Sequence, residues 1–318
     1  MKPRKILALI AVLFAGLGLI QCEKRGVSRY AVPENDKITV ATTIFPPFDF
    51  TRAIAGDMVN LFMLLPPASE SHSYEPTPQD IIKIQNCNIF IYGGGESDAW
   101  VQEILESIDN SKMERIALME TVEAAEEFIA EGMQKEDENQ GEPEYDEHVW
   151  TAPKNAKRIV KAIAEVLGRA DPVHAGMFNQ NAEAYLEKLD ALDRGFQETV
   201  DNGLRKTFVF GDRFPFQYFA NAYRLEYFAA FPGCSTETEP NAATVAFLIN
   251  KIRSEKIPVI FHIELSNERM ADIISEETGA KKRLFHACHN ISKQDFEQGR
   301  TYLDFMNQNL HNLKEALE

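Results

Sequence analysis

The chain has 318 residues, 44% hydrophobic and 26% charged. These are proportions of an ordinary globular protein, and they exclude a disordered chain, a collagen-like repeat and a multi-span membrane protein. At this length two domains are expected rather than one core. Acids outnumber bases by 49 to 33, for a net charge of −16. So acidic a surface repels phosphate backbones, which argues against nucleic acid as a partner and for cations. Four cysteines are too few for a disulfide scaffold.

Met1 to Lys5 is basic, and Ile6 to Ile20 is an apolar run ending at Gln21-Cys22. That run is about 15 residues, short of the roughly 20 that a spanning helix needs. Residues 1–21 are therefore expected to be an export signal rather than a membrane helix. A Cys directly after such a run resembles a bacterial lipobox, which makes Cys22 the expected lipidation site. The alternative is a plain secreted protein cut nearby, since Leu19-Ile20-Gln21 lacks the small residues usual before the Cys. Removing residues 1–21 leaves a charge of −19. Residues 22–36 are polar and read as a tether between anchor and fold.

Beyond the tether, strand and helix patterns alternate, the grammar of an α/β fold. Ile38–Thr42, Val59–Leu65 and Ile89–Tyr92 read as strands, and helices are expected from Phe50, from Gln79 and from Trp100. The same order restarts at Thr207. Val40 to Phe50 aligns without gaps on Val209 to Phe219, Glu75-Pro76 returns as Glu239-Pro240, and Asn88–Ile91 matches Val259–His262. The offsets are 169, 164 and 171 residues, so three features recur in one order at nearly one spacing. The expected architecture is two homologous open-sheet α/β lobes, residues 37–170 and 207–318, joined by one long helix within 171–206. Tyr185, Leu189, Leu192, Phe196 and Val200 lie on one face of that helix, as the spacing of an amphipathic helix requires.

The seven histidines differ in context. His72 lies in a Pro-rich loop after an apolar strand, and His148 lies in Asp146-Glu-His-Val-Trp just before a helix. His286 and His289 bracket Cys288 after a strand. Open α/β sheets place ligands at such strand ends, and imidazole with carboxylate on fixed loops suits a divalent transition metal. His174 and His311 fall on polar helical surface, and His262 falls inside a strand. Cys234 and Cys288 lie in loops at one end of the second lobe. As an exported pair they are expected to form a disulfide, the alternative being thiolate ligation. The acidic run from Glu131 to Glu147 leads into His148 and reads as a solvated loop.

His72-Ser-Tyr-Glu-Pro-Thr-Pro, Asp146-Glu-His-Val-Trp and the strand-plus-Phe-Pro opening resemble the zinc/manganese-binding lipoproteins of ABC importers. These are the cluster with two α/β lobes and one rigid backbone helix. The resemblance runs over about 37–318 and implies that His72 and His148 ligate metal. It also implies a third ligand just after the strand opening the second lobe. No histidine stands there in Phe208-Val-Phe-Gly211-Asp212-Arg213, and Asp212 is the acceptor available. The family's fourth ligand, an Asp after the last strand, falls on His286. The implied set is His72, His148, Asp212 and His286, with Cys234, Cys288, His289 and Glu239 left open as alternatives.

The resulting expectation is the extracytoplasmic solute-binding component of an ABC transporter. It would capture Zn(II) between its lobes and deliver it to a permease driven by an ATPase. The protein would be a monomer, without catalysis, held to the membrane only by a lipid. The rivals are a Mn(II) or Fe(II) homologue, for which more carboxylate ligands are expected, and a surface adhesin. An exported metallohydrolase is disfavoured, because the chain has no His-Glu-x-x-His, no Gly-x-Ser-x-Gly and no paired-carboxylate motif.

Overall fold

The computed structural model describes residues 37–133, 145–235 and 241–318. The expected signal and tether at 1–36, with Cys22, lie outside the described residues, as do most of the acidic run and Glu239-Pro240. Among the described residues no helix is long and apolar enough to cross a membrane.

The first lobe is built from β1 (Thr39–Thr42), α1 (Phe45–Ala55), β2 (Asn60–Met63), α2 (Pro78–Asn86), β3 (Ile89–Tyr92), α3 (Ala99–Ser107), β4 (Glu114–Ala117) and α4 (Pro153–Ala170). Its strands are all parallel in the order β2-β1-β3-β4. β1 is buried at all four positions and β3 at three, as expected of parallel strands covered on both faces. α1 begins at Phe45, earlier than the apolar pattern indicates. Pro46 and Pro47 fall in its first turn, where proline's fixed φ favours a helix and its missing N–H costs nothing.

α5 (Ala175–Asn202) follows, a single helix of 28 residues. At 1.5 Å per residue it is about 42 Å long. It buries Phe178, Ala182, Tyr185, Leu189, Leu192, Phe196 and Val200 on one side.

The second lobe comprises β5 (Thr207–Phe214), α6 (Gln217–Tyr223), β6 (Glu226–Pro232), α7 (Ala242–Glu255), β7 (Val259–His262), α8 (Arg269–Thr278), β8 (Lys281–Leu284), α9 (Lys293–Glu297) and α10 (Tyr302–Leu317). Its parallel sheet runs β6-β5-β7-β8, the order of the first lobe repeated strand for strand. Two lobes with one topology are what the tandem sequence pattern calls for. One continuous apolar core contains Phe45, Phe50 and Ile159 of the first lobe, Leu189 and Phe196 of α5, and Phe208, Phe219 and Phe285 of the second. The lobes are thus cemented through α5, and α10 closes against both α5 and α1.

Candidate metal site

In a sheet ordered 2-1-3-4 the connections diverge between the two central strands, and ligands collect at the carboxyl ends there. Both lobes aim this end at the same cleft. The loop after β2 carries His72. Its far end is fastened by Thr77, which caps α2 reciprocally with Asp80, while the Tyr74 hydroxyl donates to Asp80 at 3.0 Å. Glu147 and His148 precede a single turn, Val149–Thr151, that leads into α4. Trp150 in that turn is fully buried and donates from Nε1 to the Ala287 carbonyl at 2.8 Å. The loop after β8 carries His289, whose backbone N–H donates to Glu264 Oε1 at 3.1 Å.

Donor atoms of His72, Glu147, His148 and His289 all lie within 4.8 Å of one another. The three imidazole rings are 5.1–5.8 Å apart, centre to centre. His148 Nδ1 lies 2.7 Å from Asp146 Oδ1. With Nδ1–H donating there, Nε2 keeps its lone pair, and that buried atom has no hydrogen-bond partner. An orphaned buried nitrogen costs free energy unless something fills its lone pair, and a cation would. Ser97 ties the two acceptors of the first lobe together: its hydroxyl donates to Glu147 Oε1 and lies 2.8 Å from His72 Nδ1. Its backbone N–H donates to Glu147 Oε2 at 3.0 Å.

The electrostatics favour uncharged rings at His72 and His289. Burial, then the neighbouring His148 and the Arg213 guanidinium, push the His72 imidazole down to about 3. Burial, with His148 and His72 beside it, holds His289 well below the usual histidine range. For His148 burial acts in the same direction, but the Asp146 hydrogen bond and the charges of Asp146 and Glu147 outweigh it, and the net shift is upward. The pocket that these residues line holds about 30 Å³, roughly the volume of one water molecule. That is room enough for a single ion.

Residues 40–316 match the family described as ZnuA, zinc-uptake complex component A, periplasmic. The chain belongs to this family. Zinc-binding lipoprotein AdcA of Streptococcus pneumoniae serotype 4 is 31% identical over 321 residues, 99% of this chain and 61% of AdcA. The high-affinity zinc uptake system protein ZnuA of Bacillus subtilis strain 168 is 30% identical over 302 residues, covering 93% of this chain and 92% of that protein. The Zn(II)-bound ZnuA-like domain of S. pneumoniae AdcA superposes with a TM-score of 0.71 at 30% identity, over 88% of this chain and 99% of that domain. The chain therefore spans about three fifths of AdcA's length.

Of the four residues nominated from the sequence, this ZnuA-family chain brings His72 and His148 together and places Asp212 and His286 elsewhere. Asp212 Oδ2 accepts from Ile263 N at 3.2 Å and Oδ1 from Arg213 N at 2.9 Å, so its carboxylate fastens the end of β5 to β7. The β5–β6 register shifts between Phe210 and Arg213, and it is Arg213 that lines the pocket. At Gly211 a Cβ would come within 2.8 Å of the Ala271 backbone, so that position packs under α8 and has no room for a ligand. His286 is stacked on Phe305 at 4.0 Å, and its Nδ1 accepts from Cys288 N at 2.9 Å.

The left-handed backbone at Cys288, φ 62°, turns the loop so that His289 faces the cleft instead. His289 stood among the alternatives. Glu147 did not, although an acid adjoining His148 was the available signal. The expected Cys234–Cys288 disulfide is absent: both are free thiols. Cys288 is fully buried beneath its loop, with Asp49 and Glu264 near it, while Cys234 sits with Glu147 and Glu127, its N–H donating to Glu127 at 3.1 Å.

Proposed function

We propose that this chain is the extracytoplasmic solute-binding component of an ABC zinc importer, with His72, Glu147, His148 and His289 holding one Zn(II) between the lobes. The observation that carries the reading is the convergence of three imidazoles, that of His148 fully buried, and one buried carboxylate from three loops, with one nitrogen that has no other partner. Three nitrogens and one oxygen make a closed tetrahedral set suited to zinc, whereas Mn(II) favours more carboxylate. Three neutral rings and one carboxylate would leave the bound ion a residual charge of about +1, tolerable in so acidic a protein. The names of AdcA and of Bacillus ZnuA, zinc-binding and zinc-uptake proteins, agree with this cargo. Capture and hand-over to a permease, powered by an ATPase, involve no catalytic step. Cys22 would carry the lipid that keeps the protein at the outer face of the membrane.

The test is elemental analysis of the purified chain after metal loading and gel filtration. One zinc per chain, kept against competing manganese, is expected. A chain that keeps no zinc, or that selects manganese, overturns the reading.

A further inference from the structure

The cleft is sewn along one edge, tied again where Tyr218 donates its hydroxyl to Asp146 O at 2.9 Å and Cys234 N donates to Glu127 Oε1 at 3.1 Å, and latched at its mouth. On the sewn edge Asn290, in the second lobe, donates from Nδ2 to the carbonyls of Pro66 and Ser69 in the first, both at 2.8 Å. Ala68 N donates to Ile291 O at 2.8 Å, and Phe45 N to His289 O at 3.3 Å. These bonds hold backbone to backbone or to a buried amide, so the His289 loop cannot leave the His72 loop without breaking several at once.

At the mouth the lobes meet through an ion pair of side chains. Arg213, at the end of β5, donates from Nη2 to Glu70 Oε2 at 3.1 Å and from Nη1 to the Ser235 carbonyl at 3.3 Å. Glu70 stands two residues before His72 and accepts from the His72 N–H at 3.4 Å. The Glu70 side chain is 43% exposed and that of Arg213 14%, which sets the pair at the mouth with the guanidinium on the inner side. Arg213 is the one Lys or Arg among the residues lining the pocket.

We propose that the Arg213–Glu70 ion pair controls cation exchange at this site, as a latch between the lobes that parts when an ion enters or leaves. An ion pair this exposed is weak, and it opens by side-chain rotation without disturbing the sewn edge. A bound dication repels the guanidinium and attracts Glu70, so ion and Arg213 compete for one carboxylate. The inference rests on the reading of the cluster as a divalent-metal site.

The experiment is zinc release from the full chain to excess chelator, followed by stopped flow. It compares wild type, Arg213→Met, which keeps the apolar stem, Glu70→Gln, and the double variant. Release is expected to be about two- to fivefold faster in each variant and no faster in the double than in either single variant, because the pair acts as one unit. Wild-type release should accelerate between about 0.05 M and about 1 M salt, which screens the pair, while the variants stay flat. Should Arg213→Met fail to fold, Glu70→Gln and the salt series decide. Zinc retained by all chains, with release blind to both residues and to salt, overturns the latch alone. A wild-type chain that retains no zinc overturns the metal site and the latch together.

Discussion

Asp146 Oδ1 lies 2.7 Å from His148 Nδ1 and 2.8 Å from the His148 backbone N–H. One carboxylate oxygen thereby sets both the orientation of the ring and the nitrogen that faces the pocket. Asp146→Asn loses the charge that favours Nδ1–H and frees the ring to turn. Removing such a carboxylate partner typically costs about 10–100-fold in metal affinity, and that loss is expected here with the fold intact. Competition with a chromophoric chelator measures it; an affinity within twofold of wild type would discount the contact.

His289 and His286 provide an internal comparison. His289→Ala removes a donor from the cluster and is expected to weaken zinc binding by orders of magnitude, as are His72→Ala and His148→Ala. His286→Ala should leave zinc affinity within a few-fold and act on stability instead. Its ring stacks on Phe305 and its Nδ1 accepts from Cys288 N, so the loss leaves a buried N–H unpaired at about 1–3 kcal/mol. Zinc titration and urea unfolding of the two variants separate the roles. Equal loss of zinc in both would return His286 to the site.

Asn290 spends both Nδ2 protons on carbonyls of the opposite lobe and its Oδ1 on Ile291 N. Asn290→Ala removes a buried tie between the lobes, expected to cost about 1–3 kcal/mol. It should also slacken the geometry between His72 and His289, so that stability and zinc affinity fall together. An unfolding midpoint and affinity both equal to wild type would show that the loops are held without it.

Glu315 on α10 receives Lys281 at 2.8 Å and Arg283 at 2.7 and 3.0 Å. Hydrogen bonds from Arg283 and then Lys281 hold its carboxyl down at about 2, below the ordinary 4.5. A depressed carboxylate stabilises the fold above its unfolded value, so this contribution is complete above about pH 4.5 and vanishes on acidification towards pH 2. The pair is solvent-screened and contributes about 0.5–1 kcal/mol. Glu315→Gln should lose that much at pH 7 and nothing near pH 2, read from urea unfolding at both values. A loss independent of pH would assign the residue to packing instead.

Much of the architecture was legible in the residues themselves. The duplicated run at Val40–Phe50 and Val209–Phe219 announces two lobes because equal apolar patterns bury equal faces. The steps from Tyr185 to Val200 announce α5 because 3.6 residues per turn place those side chains on one side. Local context also marks His72, in a Pro-rich loop after a strand, and His148, just before the proline that opens a helix.

The remainder of the cluster depends on backbone turns that have no one-dimensional signature. Extended chain sends His286 and His289, three residues apart, to opposite faces, but which of the two meets the cleft is settled by the turn at Cys288, whose φ is 62°. The shifted register in β5 does the same for its pair, committing Asp212 to Ile263 N and presenting Arg213 to the pocket. Glu147 enters the cluster because Ser97, fifty residues earlier in the chain, holds its carboxylate beside His72. Periodicity and composition thus determined which segments become lobes and spine. Which donors meet was decided only in the tertiary structure, because a metal-sized pocket discriminates side chains by directions of a few ångströms, set by long-range contacts rather than neighbours in sequence.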